Sequence, residues 1–313
     1  MVVPLIAWFA LLAVPGTTGP PPPEIPPGTV PQDLWLAPFL SRPVSDPIRL
    51  SGCANVVIDN RTFKDTGPDV EAIHLENCHD VVIRGNDFAR VAQAITAVNS
   101  SNIRVVWNRY EDILGPHERV GLHRANFVQF DKVQGGHIAN NKGRGGDTED
   151  IVSLHESGGT ATDPLYVEDN HFEGTNWSSK SGSGIALGDG GSSYAIARNN
   201  TLLNPGQVGI FIAGGEHNAI LDNVVYGEQR ERSNVGVYVW NQSTPACSGH
   251  EVRGNQVHWL AAEGNPNPGW DHGNCGPVAG WDANDWNAPL DPATLRVDLQ
   301  AAAGRFRRTA AAP

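Results

Sequence analysis

Charge is scarce in this 313-residue chain, at 18% of residues, and it leans acidic, to a formal net charge of −12. That balance predicts no nucleic-acid partner, because the role needs a basic footprint. Helical spacing of apolar residues is absent from the middle of the chain, so its body is not read as helical. No Cys/His spacing suggests structural zinc. The one long apolar run, VVPLIAWFALLAV (2–14), is too short to span a bilayer and lacks a charged segment before it. With the small and turn-forming residues after it, residues 1–18 read as signal-peptide-like, which predicts a secreted or periplasmic protein with no membrane association once the signal is removed.

What the chain has is a recurring phrase. A short β-branched run ends on asparagine and is followed two residues later by an apolar residue, as in VVIRGNDF (81–88), VVWNRY (105–110), YVEDNHF (166–172) and AIARNNTL (195–202). The asparagines are Asn60, Asn86, Asn108, Asn141, Asn170, Asn200, Asn223 and Asn255. Their intervals, about 22 to 33 residues, suit a repeat of one supersecondary unit, so each unit predicts one turn of a solenoid. At a tight corner asparagine adopts the left-handed backbone conformation at low cost, and its amide can bond the next turn, so the set predicts a ladder.

A second alternating segment follows in most units, from AIHLE (72–76) to GVYVW (236–240). Alternation turns pairs such as Ile73 and Leu75, or Val237 and Val239, inward as aliphatic stacks. It turns His74, Thr96, Gln129, Ser153, Ala186, Phe211 and Tyr238 outward, with Glu76, Val98, Asp131, His155, Gly188, Ala213 and Trp240 two residues on. The 35 glycines suit a turn-rich β-protein. The fold expected is all-β, a parallel β-helix (solenoid) over residues 50–260. Before it come a proline-rich linker (19–31) and a short helical N-terminal cap (32–49), because an open solenoid end exposes core. After it comes a loop-rich C-terminal cap and tail (261–313). Cys53 with Cys78 and Cys247 with Cys275 are the expected disulfides, one of three connectivities four cysteines allow.

The turn phrases resemble the right-handed parallel β-helix of the pectin-lyase-like superfamily over roughly residues 50–260. That resemblance implies a secreted protein acting on a polysaccharide laid across the outside of the helix, as hydrolase, lyase or epimerase. Locally, GDTEDIVSLHESG (146–158) is similar to the polygalacturonase segment in which two adjacent acids precede a strand, and Glu149 and Asp150 fall where those acids would be. SGSGIALGDGG (181–191) resembles the Gly-His-Gly-Ile strand one turn later. Ser183 stands where that family has histidine, Asn126 where it has a third acid, and no Arg-Ile-Lys phrase follows.

Glycosidic hydrolysis needs a carboxylic acid to protonate the leaving oxygen and a carboxylate to activate water or attack. Asp147, Glu149 and Asp150 precede one strand and Asp189 follows the next, and the register stacks Asp131 on His155 as an acid/base pair. These six are the candidate catalytic residues. Arg124, Lys132, Arg144, Phe211, Tyr238 and Trp240 are the candidate substrate-binding residues. The expected function is polysaccharide binding with glycosidic cleavage. The alternatives are lyase or C5-epimerase chemistry on a uronan, with a cation stabilising the charge formed, and a non-catalytic glycan-binding β-helix. No cofactor is required, and calcium is left open through the acidic loops. The oligomeric state is not fixed by the sequence.

Overall fold

The computed structural model describes residues 38–115, 125–174, 182–242 and 245–300. The segments 1–18 and 19–31, the start of the expected cap and Arg124 lie outside the described residues. Within them the chain is almost entirely β, and each turn of the coil contributes a strand to each of three faces. The first face is an eight-stranded parallel sheet running in sequence order from Ala54–Asp59 to Glu251–Arg253. The second runs from Arg109–Ile113 through Lys142–Gly146 and His171–Glu173 to Gln256–Trp259. The third runs from Ile48–Ser51 through Val128–Asp131, Asp150–His155, Ser183–Asp189, Val208–Ile212 and Val235–Val239 to Gly269–Asp271. Two long strands, Thr62–Glu76 and Asp87–Val98, pass unbroken from the second face to the third and make them one 15-stranded sheet. No helix among the described residues is long and apolar enough to cross a membrane.

Alternation sets the core. Every inward pair from Ile73 and Leu75 to Val237 and Val239 is fully buried. Aromatic rings fill the wide turns beside these stacks: Phe63 lies on Phe88 at 5.2 Å, and Phe127 packs between Tyr110 and Phe172.

The asparagine ladder exists, with a different membership and a different reason. Each rung's Oδ1 accepts from the backbone N–H and the Nδ2 of the rung before it, as Asn170 does from Asn141 at 2.9 Å for both. Its Nδ2 donates to a backbone carbonyl and to the next rung, Ile138 O at 2.8 Å and Asn200 Oδ1 at 2.9 Å for Asn170. The chain of rungs begins at Asn86 and ends at Asn284. Asn60 is not a rung, since Arg61 occupies that place and donates its N–H to Asn86. Nor do the rungs take up the left-handed backbone. The residue before each rung from Asn86 to Asn255 does so: Gly85, Trp107, Asn140, Asp169, Asn199, Asp222 and Gly254, all with φ between 54° and 69°. Asn60, at φ 54°, belongs to this corner row. The corner residue makes the bend, and the rung behind it satisfies the backbone groups that the bend buries.

The expected helical N-terminal cap is corrected. Residues 38–47 carry a turn and one bridge, Val44 to Thr62, and no helix. Pro43 and Pro47 account for this, because each removes an N–H donor and holds its predecessor extended. At the other end the coil makes a further irregular turn, with bridges from Glu251 to Ala279 and from Gln256 to Asp285 and two short 3-10 segments, Trp281–Ala283 and Pro292–Leu295. Both expected disulfides are present, Cys53–Cys78 and Cys247–Cys275.

The tail then runs back along the second face as a strap. His171 Nε2 donates to Leu295 O at 2.7 Å, Glu173 accepts from Val297 N at 2.8 Å, and Arg109 donates to Leu299 O at 3.2 Å. Beneath it lies the buried ion pair Arg109–Asp87, joined through Nε at 2.7 Å. The strap lies along the second face, and on the third face Arg49 and Trp270 are exposed while Thr96, Ser153 and Ala186 are buried.

Candidate functional site on the third face

In-register pairing lines up one outward residue per turn along the third face: Arg49, His74, Thr96, Gln129, Ser153, Ala186, Phe211, Tyr238 and Trp270. The row is cationic and polar at one end, small in the middle and aromatic at the other. Two residues along the strands, Asp131 pairs with His155, as the alternation predicts. The next residue in that row is Asp189 instead of the expected Gly188, because the register shifts by a bulge between Ser153 and His155. Gly188 occupies the bulge at φ 72°, where an added Cβ would stand 2.2 Å from Gly214 O.

A cleft of about 330 Å³ opens where the row turns aromatic. Glu149, Asp150 and Ser183 form one margin, Asp189 the other, Phe211 and Tyr238 the floor, and Trp240 and Trp270 the far wall, with the amides of Gln207, Asn234 and Gln242 between them. The Phe211 and Tyr238 rings stack at 4.9 Å and 8°, and those of Trp240 and Trp270 stand 5.8 Å apart. Both tryptophans keep a large exposed face, 37% and 42%. Ser183 Oγ donates a short hydrogen bond to Asp150 Oδ1, so the residue standing where the resembling family has histidine orients one acid. Tyr238 OH accepts from Gln242 Nε2 at 2.6 Å. Burial, reinforced by the charges of Asp150 and Asp189, pushes its phenol far above the usual range and keeps it a donor. The cleft therefore presents carboxylate acceptors, a phenol donor, amides and flat apolar rings, a set matched to a polyhydroxylated ring.

The structure brings together Glu149, Asp150, Asp189, Phe211, Tyr238 and Trp240. Asp150 opens its strand while Asp189 pairs with His155, so at about 3.3 Å per residue the two margins stand roughly 16 Å apart, backbone to backbone. His155 and Asp131 flank the cleft on the N-terminal side, with Nδ1 3.2 Å from Oδ1. Lys132 reaches Glu156 at 3.6 Å beside them. Asp147 lies at the preceding corner, where its N–H donates to Ile113 O. Arg144 faces away on the second face, paired with Glu111. Trp270, Gln207, Asn234 and Gln242 line the cleft without having been singled out as site residues. Trp270 is the one with a signal, as an aromatic residue in the glycine- and proline-rich segment after residue 260.

Among the described residues one cluster has metal-ligand geometry, Cys247, His250 and Cys275, within 4.8 Å of one another. The two cysteines are joined as a disulfide. His250 Nδ1 accepts from Asn218 N–H at 3.2 Å, so Nε2 carries the hydrogen, 3.3 Å from Cys247 Sγ. This tautomer turns a donor toward sulfur and offers no lone pair to a metal there.

No protein-family model and no curated protein matches this chain. The site geometry carries the functional reading.

Proposed function

We propose that the chain is a secreted carbohydrate-active protein of the right-handed parallel β-helix type, resembling the pectin-lyase-like superfamily. It binds a polysaccharide across the third face and cleaves a glycosidic bond by carboxylate acid/base catalysis at the Glu149/Asp150 margin. One observation carries this reading: Glu149, Asp150 and Asp189 share a single open cleft with Phe211, Tyr238, Trp240 and Trp270. The rings stack on sugar faces, and the acids supply the proton and the base that the reaction requires. The two disulfides support an oxidising compartment. Arg144, on the second face, is too far from the cleft to supply the cation of a lyase mechanism.

A non-catalytic glycan-binding role is the second reading. It is favoured by the roughly 16 Å of backbone between the Asp150 and Asp189 positions, a wide span for two carboxyls that must stand about 5 to 9.5 Å apart. Purified protein screened on acidic and neutral polysaccharides, with and without calcium, separates the two. Asp150→Asn abolishes release of reducing ends and spares retention of the chain, whereas Trp270→Ala weakens retention at least tenfold. Turnover that survives neutralising Glu149, Asp150 and Asp189 in turn removes the catalytic site. Retention without turnover on every substrate leaves the binding role, and an ultraviolet-absorbing unsaturated product replaces hydrolysis with elimination.

A further inference from the structure

Four turns before the cleft, about 19 Å along the same row, the third face carries a second arrangement of polar groups that the cleft does not use. Its centre is Glu71, a carboxylate with no exposure to solvent. Such a group is costly to bury unless its oxygens are saturated with donors. Oε2 accepts from Arg49 NH1 at 3.0 Å and from His74 Nδ1 at 2.6 Å, and Oε1 accepts from Thr96 Oγ1 at 2.8 Å. Thr96 spends its hydrogen on the carboxylate, so it accepts from Gln93 Nε2, which fixes the orientation of that amide. Gln93 Oε1 is left buried without a partner.

Two consequences follow for the surface. His74 donates from Nδ1, so in the neutral form of the ring Nε2 presents a lone pair from a side chain that is 21% exposed. Arg49, 55% exposed, engages Glu71 through NH1, and the rest of its planar fork faces outward beside the imidazole.

We propose that Arg49, His74 and Glu71 form a second binding site on the third face for an anionic substituent of a saccharide chain, a carboxylate or a sulfate ester. Arg49 pairs with the anion, His74 Nε2 accepts a hydrogen bond from a neighbouring hydroxyl, and Glu71 positions both from below. The site rests on the reading that this face binds saccharide, and it adds a preference for charge at a fixed distance from the cleft.

Titration calorimetry with matched oligosaccharide pairs tests it: a uronate hexamer against its carboxyl-reduced counterpart, and a sulfated galactan hexamer against its desulfated one. The charged member of at least one pair binds tenfold or more tightly, and which pair does so identifies the anion. Arg49→Met brings that ratio below twofold. Because Glu71 then loses a donor, Arg49→Lys serves as the second variant, keeping a cation over the carboxylate and a reduced but measurable preference. His74→Gln weakens both members of the preferred pair. Uncharged oligomers that bind as tightly as charged ones in the unaltered protein, or a preference that survives Arg49→Met, overturn the second site while leaving the cleft standing. No binding by any of the four oligomers overturns the saccharide reading of the face as a whole.

Discussion

Replacing Asn170 by aspartate tests the ladder with almost no change of shape. Asn170 is 1% exposed, and its Nδ2 donates to Ile138 O and Asn200 Oδ1, both acceptors. Aspartate puts oxygen where that nitrogen was, so two buried acceptors each lose a donor, Asn200 Oδ1 keeping only the N–H of residue 170, and both face a third oxygen. Each unsatisfied group costs about 1–3 kcal/mol, which sets the expected destabilisation at about 4 kcal/mol before any charge is considered. For a chain of this size that is roughly a 10 °C fall in melting temperature. The cost depends on pH with a defined sign. Burial raises the folded-state pKa of the new carboxyl above its unfolded value of about 3.9, so destabilisation grows as pH rises through 4 and beyond. Near pH 4 the protonated acid regains one donor and the penalty shrinks. Asn199→Asp is the control, because Asn199 is itself exposed in the corner row and its change is expected within about 0.5 kcal/mol. Urea denaturation at pH 7 and pH 4 measures all three proteins. An N170D protein within 1 kcal/mol of the parent at pH 7, or one with the same deficit at both pH values, refutes the account of the ladder.

Two further outcomes follow from buried polar groups. Tyr110 is fully buried and its hydroxyl has no partner, while burial drives its phenol pKa well up, so Tyr110→Phe stabilises by about 1 kcal/mol and raises the melting temperature a few degrees. His250, 1% exposed, has its pKa pushed down to about 4 by burial. The unfolded chain then takes up this proton first, so stability is full above pH 6.5 and falls between pH 6.5 and 4 by up to about 3 kcal/mol. His250→Gln flattens that part of the stability profile, and an unchanged slope in the variant counts against the assignment.

Alternation carried a large part of the structure in the sequence. With side chains of period two, fixing Ile73 as inward fixes Leu75 and orients His74, and the register then brings Asp131 onto His155. What escaped had no residue-type signature. Asparagine serves both as rung and as corner residue, so Asn60 could not be told from Asn86 by identity, and Asn284 sits in an irregular turn with no strand phrase before it. The bulge that replaces Gly188 by Asp189 opposite His155 is a one-residue insertion that simple counting steps over. Trp270 lies on a three-residue strand, too short for alternation to mark. The Trp270 half of the far wall was therefore hidden, while Trp240 and the floor, Phe211 and Tyr238, were visible.

The strap along the second face brings its end to the beginning. Gln300 Oε1 accepts from the N–H of Phe39 at 3.3 Å, although 261 positions separate them. The described chain is thus close to a ring. An ordinary stack of repeats can shed its outermost coil alone, since each coil touches only its neighbours. Here the outermost coil at one end is held by residues that belong to the other, so the first strand cannot fray without also loosening the tail. The third face, which would bear the load of a bound chain, is carried on a frame whose two described ends touch.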